Sequence, residues 1–93
     1  MVIGILNIDL NIPGTDSLKG KRRVLKSLKD KVRGKFNISI AEVGNKDLWQ
    51  RANLGIAVVS DDQKQANRIL SKVIELIELS NDTELLDYEL ELL

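Results

Sequence analysis

The chain has 93 residues, of which 43% are hydrophobic and one is proline, so it can build a core and fold as one domain, residues 1–93. It has no cysteine and no histidine. Disulfide frameworks, thiolate metal sites and cysteine nucleophiles are therefore excluded, and the commonest general base is missing. The formal charge of zero hides a lopsided distribution: residues 1–60 carry eleven bases against five acids, and residues 61–93 three bases against nine acids.

Val2 to Pro13 alternates, with Val2, Leu6, Ile8, Leu10 and Ile12 on one parity and Asn7, Asp9 and Asn11 on the other. That is the pattern of a strand with one buried face. Its interruptions, and the lack of a basic start and a small-residue cleavage site, argue against a signal peptide. No stretch approaches the roughly 20 apolar residues of a membrane span, so no membrane partner is expected. Pro13-Gly14 ends the strand, and Thr15, Asp16 and Ser17 offer oxygens for a helix N-cap.

A helix is predicted from Leu18 to about Arg33, with Leu18, Leu25, Leu28 and Val32 on its apolar side and Gly34 as its stop. Ser17 to Lys35 holds nine of the fourteen Lys and Arg residues, against Asp30 alone. Phe36, Ile38 and Ile40 start a second strand that ends near Glu42 or Val43. A turn at Gly44-Asn45-Lys46-Asp47 follows, and Ala52 to Ser60 is the third strand. Ser60 to Gln63 matches a capping box, opening a second helix to about Leu79. Leu86, Tyr88, Leu90 and Leu92 alternate with acids in a last strand, whose charge suits a sheet edge. The order β-α-β-β-α-β predicts an α+β, ferredoxin-like sandwich: a four-stranded antiparallel sheet with two helices on one face.

Three ordered motifs extend this reading: Ser17-Leu18-Lys19-x-Lys21-Arg22, then Lys35 to Val43 (KFNISIAEV), then Asp47-Leu48-Trp49-Gln50-Arg51-Ala52. Together they resemble the YlxP-like family of small bacterial proteins, a family of unknown function, over nearly the whole chain. The resemblance implies a ferredoxin-like fold and a cytoplasmic setting. Genes of that family often lie near those for translation initiation and ribosome maturation, which implies an RNA-linked role. Gly20 and Gly44 depart from the family's usual residues.

The basic helix carries the first candidate site. Charged helix faces are usually only solvated. Here, however, bases in a first turn oppose the macrodipole at about 0.3–1 kcal/mol each, and Gly20 adds up to about 1 kcal/mol. Local rules broken in this way often mark function. Lys19, Lys21, Arg22, Arg23 and Lys26 are therefore expected to contact phosphates, with the Lys21 stem along the core edge and its ammonium reaching out to solvent. Glu42, Trp49 and Arg51 form a second candidate, a partner-binding segment. Its structural reading makes Trp49 a lid over the core edge and Glu42–Arg51 a cross-strand ion pair.

The face of the sheet away from the helices offers Asn7, Asp9, Asn53, Gly55, Ala57 and the acids of the last strand. It has no aromatic platform for stacking bases, so RRM-style binding is not expected. No P-loop, dinucleotide-binding glycine pattern or catalytic constellation occurs, and neither enzymatic activity nor a cofactor or metal is expected. Two functions stay open. One is association with RNA or a ribosomal particle through the basic helix. The other is a homodimeric interaction or regulatory module that uses the sheet face.

Overall fold

The computed structural model describes residues 1–93. The chain forms β1 (Val2–Asn11), α1 (Leu18–Lys35), β2 (Ser39–Gly44), β3 (Arg51–Ser60), α2 (Gln63–Glu78) and β4 (Glu84–Leu92). The strands make one antiparallel sheet in the order β2-β3-β1-β4, which confirms the ferredoxin-like arrangement. Strand alternation decides which face is covered. Leu6, Ile8 and Leu10 of β1, Ile40 of β2, and Ala52, Leu54, Ile56 and Val58 of β3 are all buried. They join Leu25, Leu28 and Val32 of α1 and Ala66, Leu70, Val73, Ile74 and Ile77 of α2 in a single core. Burial of a large aliphatic side chain is worth about 1.5–3 kcal/mol, so this shared layer is what fixes strand register.

The helices are placed unequally. α2 packs against β1, β3 and β4, whereas α1 reaches only β2 and α2. The α1 side of the sheet therefore ends at an edge strand with a helix beside it, and a groove is left between them.

Several boundaries differ from the sequence expectation. Gly34 does not stop α1; the helix continues to Lys35, and the Phe36 N–H closes it on Val32 O. Phe36 and Ile38 lie outside β2, half-buried against the core as part of the connection. Ser17 is the N-cap of α1, and its side chain accepts from Gly20 N at 3.0 Å. The cap of α2 is Asp62, accepting from Lys64 N, while Ser60 sits two residues earlier and accepts from Asp62 N. A bulge between Asp9 and Leu10 shifts β4, so that Leu85, in place of Leu86, stands opposite Leu10 and packs on the core. Leu86 is left exposed, as is Tyr88 opposite Ile8.

Two glycines provide contrasting tests. A Cβ at Gly4 would stand 2.8 Å from Leu70 Cδ1 and 3.0 Å from Val58 Cγ1, so Gly4→Val should destabilise the fold by about 1–3 kcal/mol in urea unfolding. A Cβ at Gly34 meets nothing within 4 Å, and the residue is helical. Gly34→Ala should raise stability by about 0.5–1 kcal/mol.

Candidate nucleic-acid interface

The N-terminal turn of α1 faces the β2–β3 connection, and Lys21 bridges the two. Its spacing from Leu25, Leu28 and Val32 puts it on the inner side of the helix, where it is 1% exposed. The ammonium turns inward, not to solvent. It donates to Asn45 O at 2.6 Å and Leu48 O at 2.7 Å, with Lys46 O at 3.4 Å. Glu42 Oε2 lies 2.8 Å away as the ion-pair partner, and this buried oxygen accepts no hydrogen bond. An ammonium has three N–H groups, and the three loop carbonyls accept from them while the carboxylate balances the charge. Lys21 is thus unavailable to a phosphate, which corrects its place among the expected contacts. The anomaly at the helix start has a structural cause: a long cationic side chain is needed there to reach the loop carbonyls and a carboxylate.

The loop is built to receive it. A bulge between Glu42 and Gly44 turns the chain, and Asn45 adopts φ 58°, a left-handed conformation that Asn tolerates better than most residues. Leu48 N returns to Asn45 O at 3.1 Å, so that carbonyl accepts from both the turn and Lys21. Further along, Gln50 Nε2 donates to Thr15 O and Ile12 N to Gln50 O, which ties the segment to the β1–α1 loop.

These contacts settle the second candidate segment differently from the expected pairing. Glu42 stands opposite Leu54 and turns to Lys21, while Arg51 stands opposite Asn11 and is exposed, so the Glu42–Arg51 ion pair does not form. Trp49 is not a lid; it is 52% exposed and lines a shallow depression with Asp47, Leu48, Gln50 and Arg51.

The remaining cations of α1 divide. Lys19 is exposed. Arg23 borders the Pro13–Asp16 loop and Asp82. Lys26 is exposed and donates to Asp30 Oδ2 at 2.9 Å. That hydrogen bond, helped by Arg33 and Lys29, holds the Asp30 carboxyl below its ordinary range. Of the five expected residues, Lys21 and Arg22 border the groove beside β2, and only Arg22 is exposed there. There it joins Lys29, Arg33 and Lys46, none of which was among the expected phosphate contacts. The groove encloses about 560 Å³ and is floored by Leu18, Ile40 and Ala41, with Asp47 at its hairpin end. Arg33 Nη2 donates to Ile40 O at 3.2 Å, which covers a carbonyl of the edge strand. Because Glu42 is neutralised by Lys21, the groove's field is set by the four cations against Asp47. The signal for Lys29 and Arg33 was present as a spacing of seven and eleven residues from Arg22. Lys46 could be added only by folding.

Lys21→Met should remove the ammonium and leave the Glu42 carboxylate and the Leu48 carbonyl without their partner, lowering stability by about 3 kcal/mol in denaturant unfolding. Arg22→Glu on the same turn should stay within about 0.5 kcal/mol of the parent. Equal effects of the two substitutions would contradict the assignment of Lys21 as the structural cation.

Comparison with known proteins agrees with this architecture. Residues 3–90 match the family model described as protein of unknown function (DUF503). The chain is 42% identical over 77 residues to the uncharacterized protein YlxP of Bacillus subtilis (strain 168), covering 83% of this chain and 84% of that protein. Among solved structures, the de novo designed protein Foldit4 superposes with a TM-score of 0.55 at 14% identity, covering 100% of this chain and 97% of that one. The de novo designed protein LFR1 1, with ferredoxin fold, gives 0.52 at 15% identity over 98% and 86% of the two chains. These two likenesses concern the fold alone. The matched span and the identity to YlxP together place the chain in the DUF503 family of proteins of unknown function.

Proposed function

We propose that the chain is an RNA-associated protein that holds phosphate backbone in the groove between α1 and β2. The observation that carries this reading is the convergence of Arg22, Lys29, Arg33 and Lys46, from two separate elements, on one groove. Arg22 and Arg33 are eleven residues apart, which is about 16 Å along a helix. That length spans several phosphates of a strand rising about 3.4 Å per nucleotide. Arginine forks suit phosphate oxygens, and lysines add charge without demanding a geometry. The choice of RNA rests on the likeness to the YlxP-like family and the genes that neighbour it. The sheet face plays no part in this contact, since no aromatic lies on it and β4 lines it with Asp87, Glu89 and Glu91.

Trp49 adjoins the groove through Asp47, which borders both depressions, and it is the only tryptophan. Its fluorescence therefore reports occupancy. With a labelled structured RNA, affinity should fall as salt rises, with a log–log slope of about −3 for four phosphate contacts. Arg22→Glu combined with Arg33→Glu should abolish binding, while Lys19→Glu should weaken it only slightly. A flat salt dependence, or retained binding in the double variant, would rule the groove out.

A further inference from the structure

The face of the sheet away from the helices is divided along the strands. At one end Val59, Ile3 and Leu93 form a cross-strand row: Ile3 is paired with Val59, and Ile3 and Leu93 exchange both backbone hydrogen bonds. Val59 is 68% and Leu93 61% exposed. The next row adds Ala57 and Ile5. At the other end Asn53 Nδ2 donates to Asn7 Oδ1 at 2.7 Å and Asp9 Oδ1 at 3.0 Å, making a polar cluster. The face is also divided across the strands. β4 presents Asp87, Glu89 and Glu91, whereas β2 presents Ser39, Ala41 and Val43, with no charge.

We infer that this face is buried against a second copy of the chain, with the two-fold axis close to the strand direction. Two in-plane axes can stack the sheet on itself. An axis across the strands lays the apolar end on the Asn7–Asp9–Asn53 cluster and sets the acids of β4 against the same acids. An axis along the strands lays apolar end on apolar end and puts acidic β4 over the uncharged face of β2. Both mismatches vanish in the second arrangement. It also sets β1 of one copy over β3 of the other, so that Ile5 meets the small Ala57. Three strands of nine or ten residues and the six-residue β2 give a face about 19 Å across and about 33 Å long except at β2, roughly 570 Å² per copy in projection. That reaches the size of a specific interface, since accessible area exceeds projected area. Aligned sheets crossing near −30° pack in this way about 10 Å apart.

The test uses the whole chain. Sedimentation equilibrium should give twice the 10.4 kDa monomer mass at micromolar concentration. Val59→Glu and, separately, Leu93→Asp should each give monomers; the Leu93 side chain is 61% exposed and its pairing with Ile3 is through backbone atoms, so the replacement should leave the sheet folded. The chain has no cysteine, so single cysteines report the axis. A mixture of Glu91→Cys and Ser39→Cys chains should be joined by a short bismaleimide, and Glu91→Cys alone should not. A monomeric parent, dimers that survive both patch substitutions, or efficient self-linking of Glu91→Cys would each overturn the inference. The groove cations Arg22, Lys29, Arg33 and Lys46 lie on α1 and the β2–β3 loop and take no part in the sheet-face contact, so dimerisation and RNA binding fail or succeed separately.

Discussion

A lysine ammonium taken out of water must find acceptors for all three of its protons and an opposite charge, or the fold loses several kcal/mol. Lys21 meets that demand with the backbone carbonyls of Asn45, Lys46 and Leu48 as acceptors and the Glu42 carboxylate 2.8 Å away as the opposite charge. The carbonyls belong to a loop with no core of its own, where Leu48 and Trp49 are largely exposed. The loop's shape therefore depends on the cation beneath it. A hydrophobic residue in place of Lys21 could fill the volume but could not bind those oxygens.

Further features follow from this contact. Because Glu42 is drawn inward, the edge of β2 is free of unpaired negative charge and the groove beside it is dominated by cations. Lys46 is carried by the same loop that Lys21 fixes, so its position at the groove is set before any ligand arrives. Trp49 is likewise exposed on an anchored segment, with Gln50 tied back to the β1–α1 loop. A large side chain on a fixed backbone loses little entropy on binding.

The protein thus has two exposed surfaces of different character on opposite sides of one sheet layer. The groove is cationic and lies beside a helix that covers little more than β2. The uncovered sheet face is apolar at one end and acidic along β4. Separating them lets a chain of zero formal charge present strong local fields.

Much of the fold was legible in the sequence because strand alternation and helical spacing are local consequences of backbone geometry. The even-numbered residues of β1 and β3 became the core as their alternation predicts, and the β-α-β-β-α-β order left little topological choice. Helix ends were less legible. Gly34 is a common stop, yet the helix runs on until Phe36 turns away, because the Phe36 N–H can still reach Val32 O. The β4 register also escaped, since one bulged residue exchanges Leu86 for Leu85 without changing the pattern of letters.

The candidate site divides along the same line. The sequence by itself determined that α1 is amphipathic and basic, and that the chain lacks cysteine and histidine. Only tertiary structure decided which bases serve the fold and which face solvent. Lys21 and Arg22 are adjacent and similar in composition terms, but about 100° of helical rotation separates them. One points at the carbonyls of a loop 24 to 27 residues away, and the other at an open groove. That difference depends on what the fold places opposite each side chain, which no local pattern encodes.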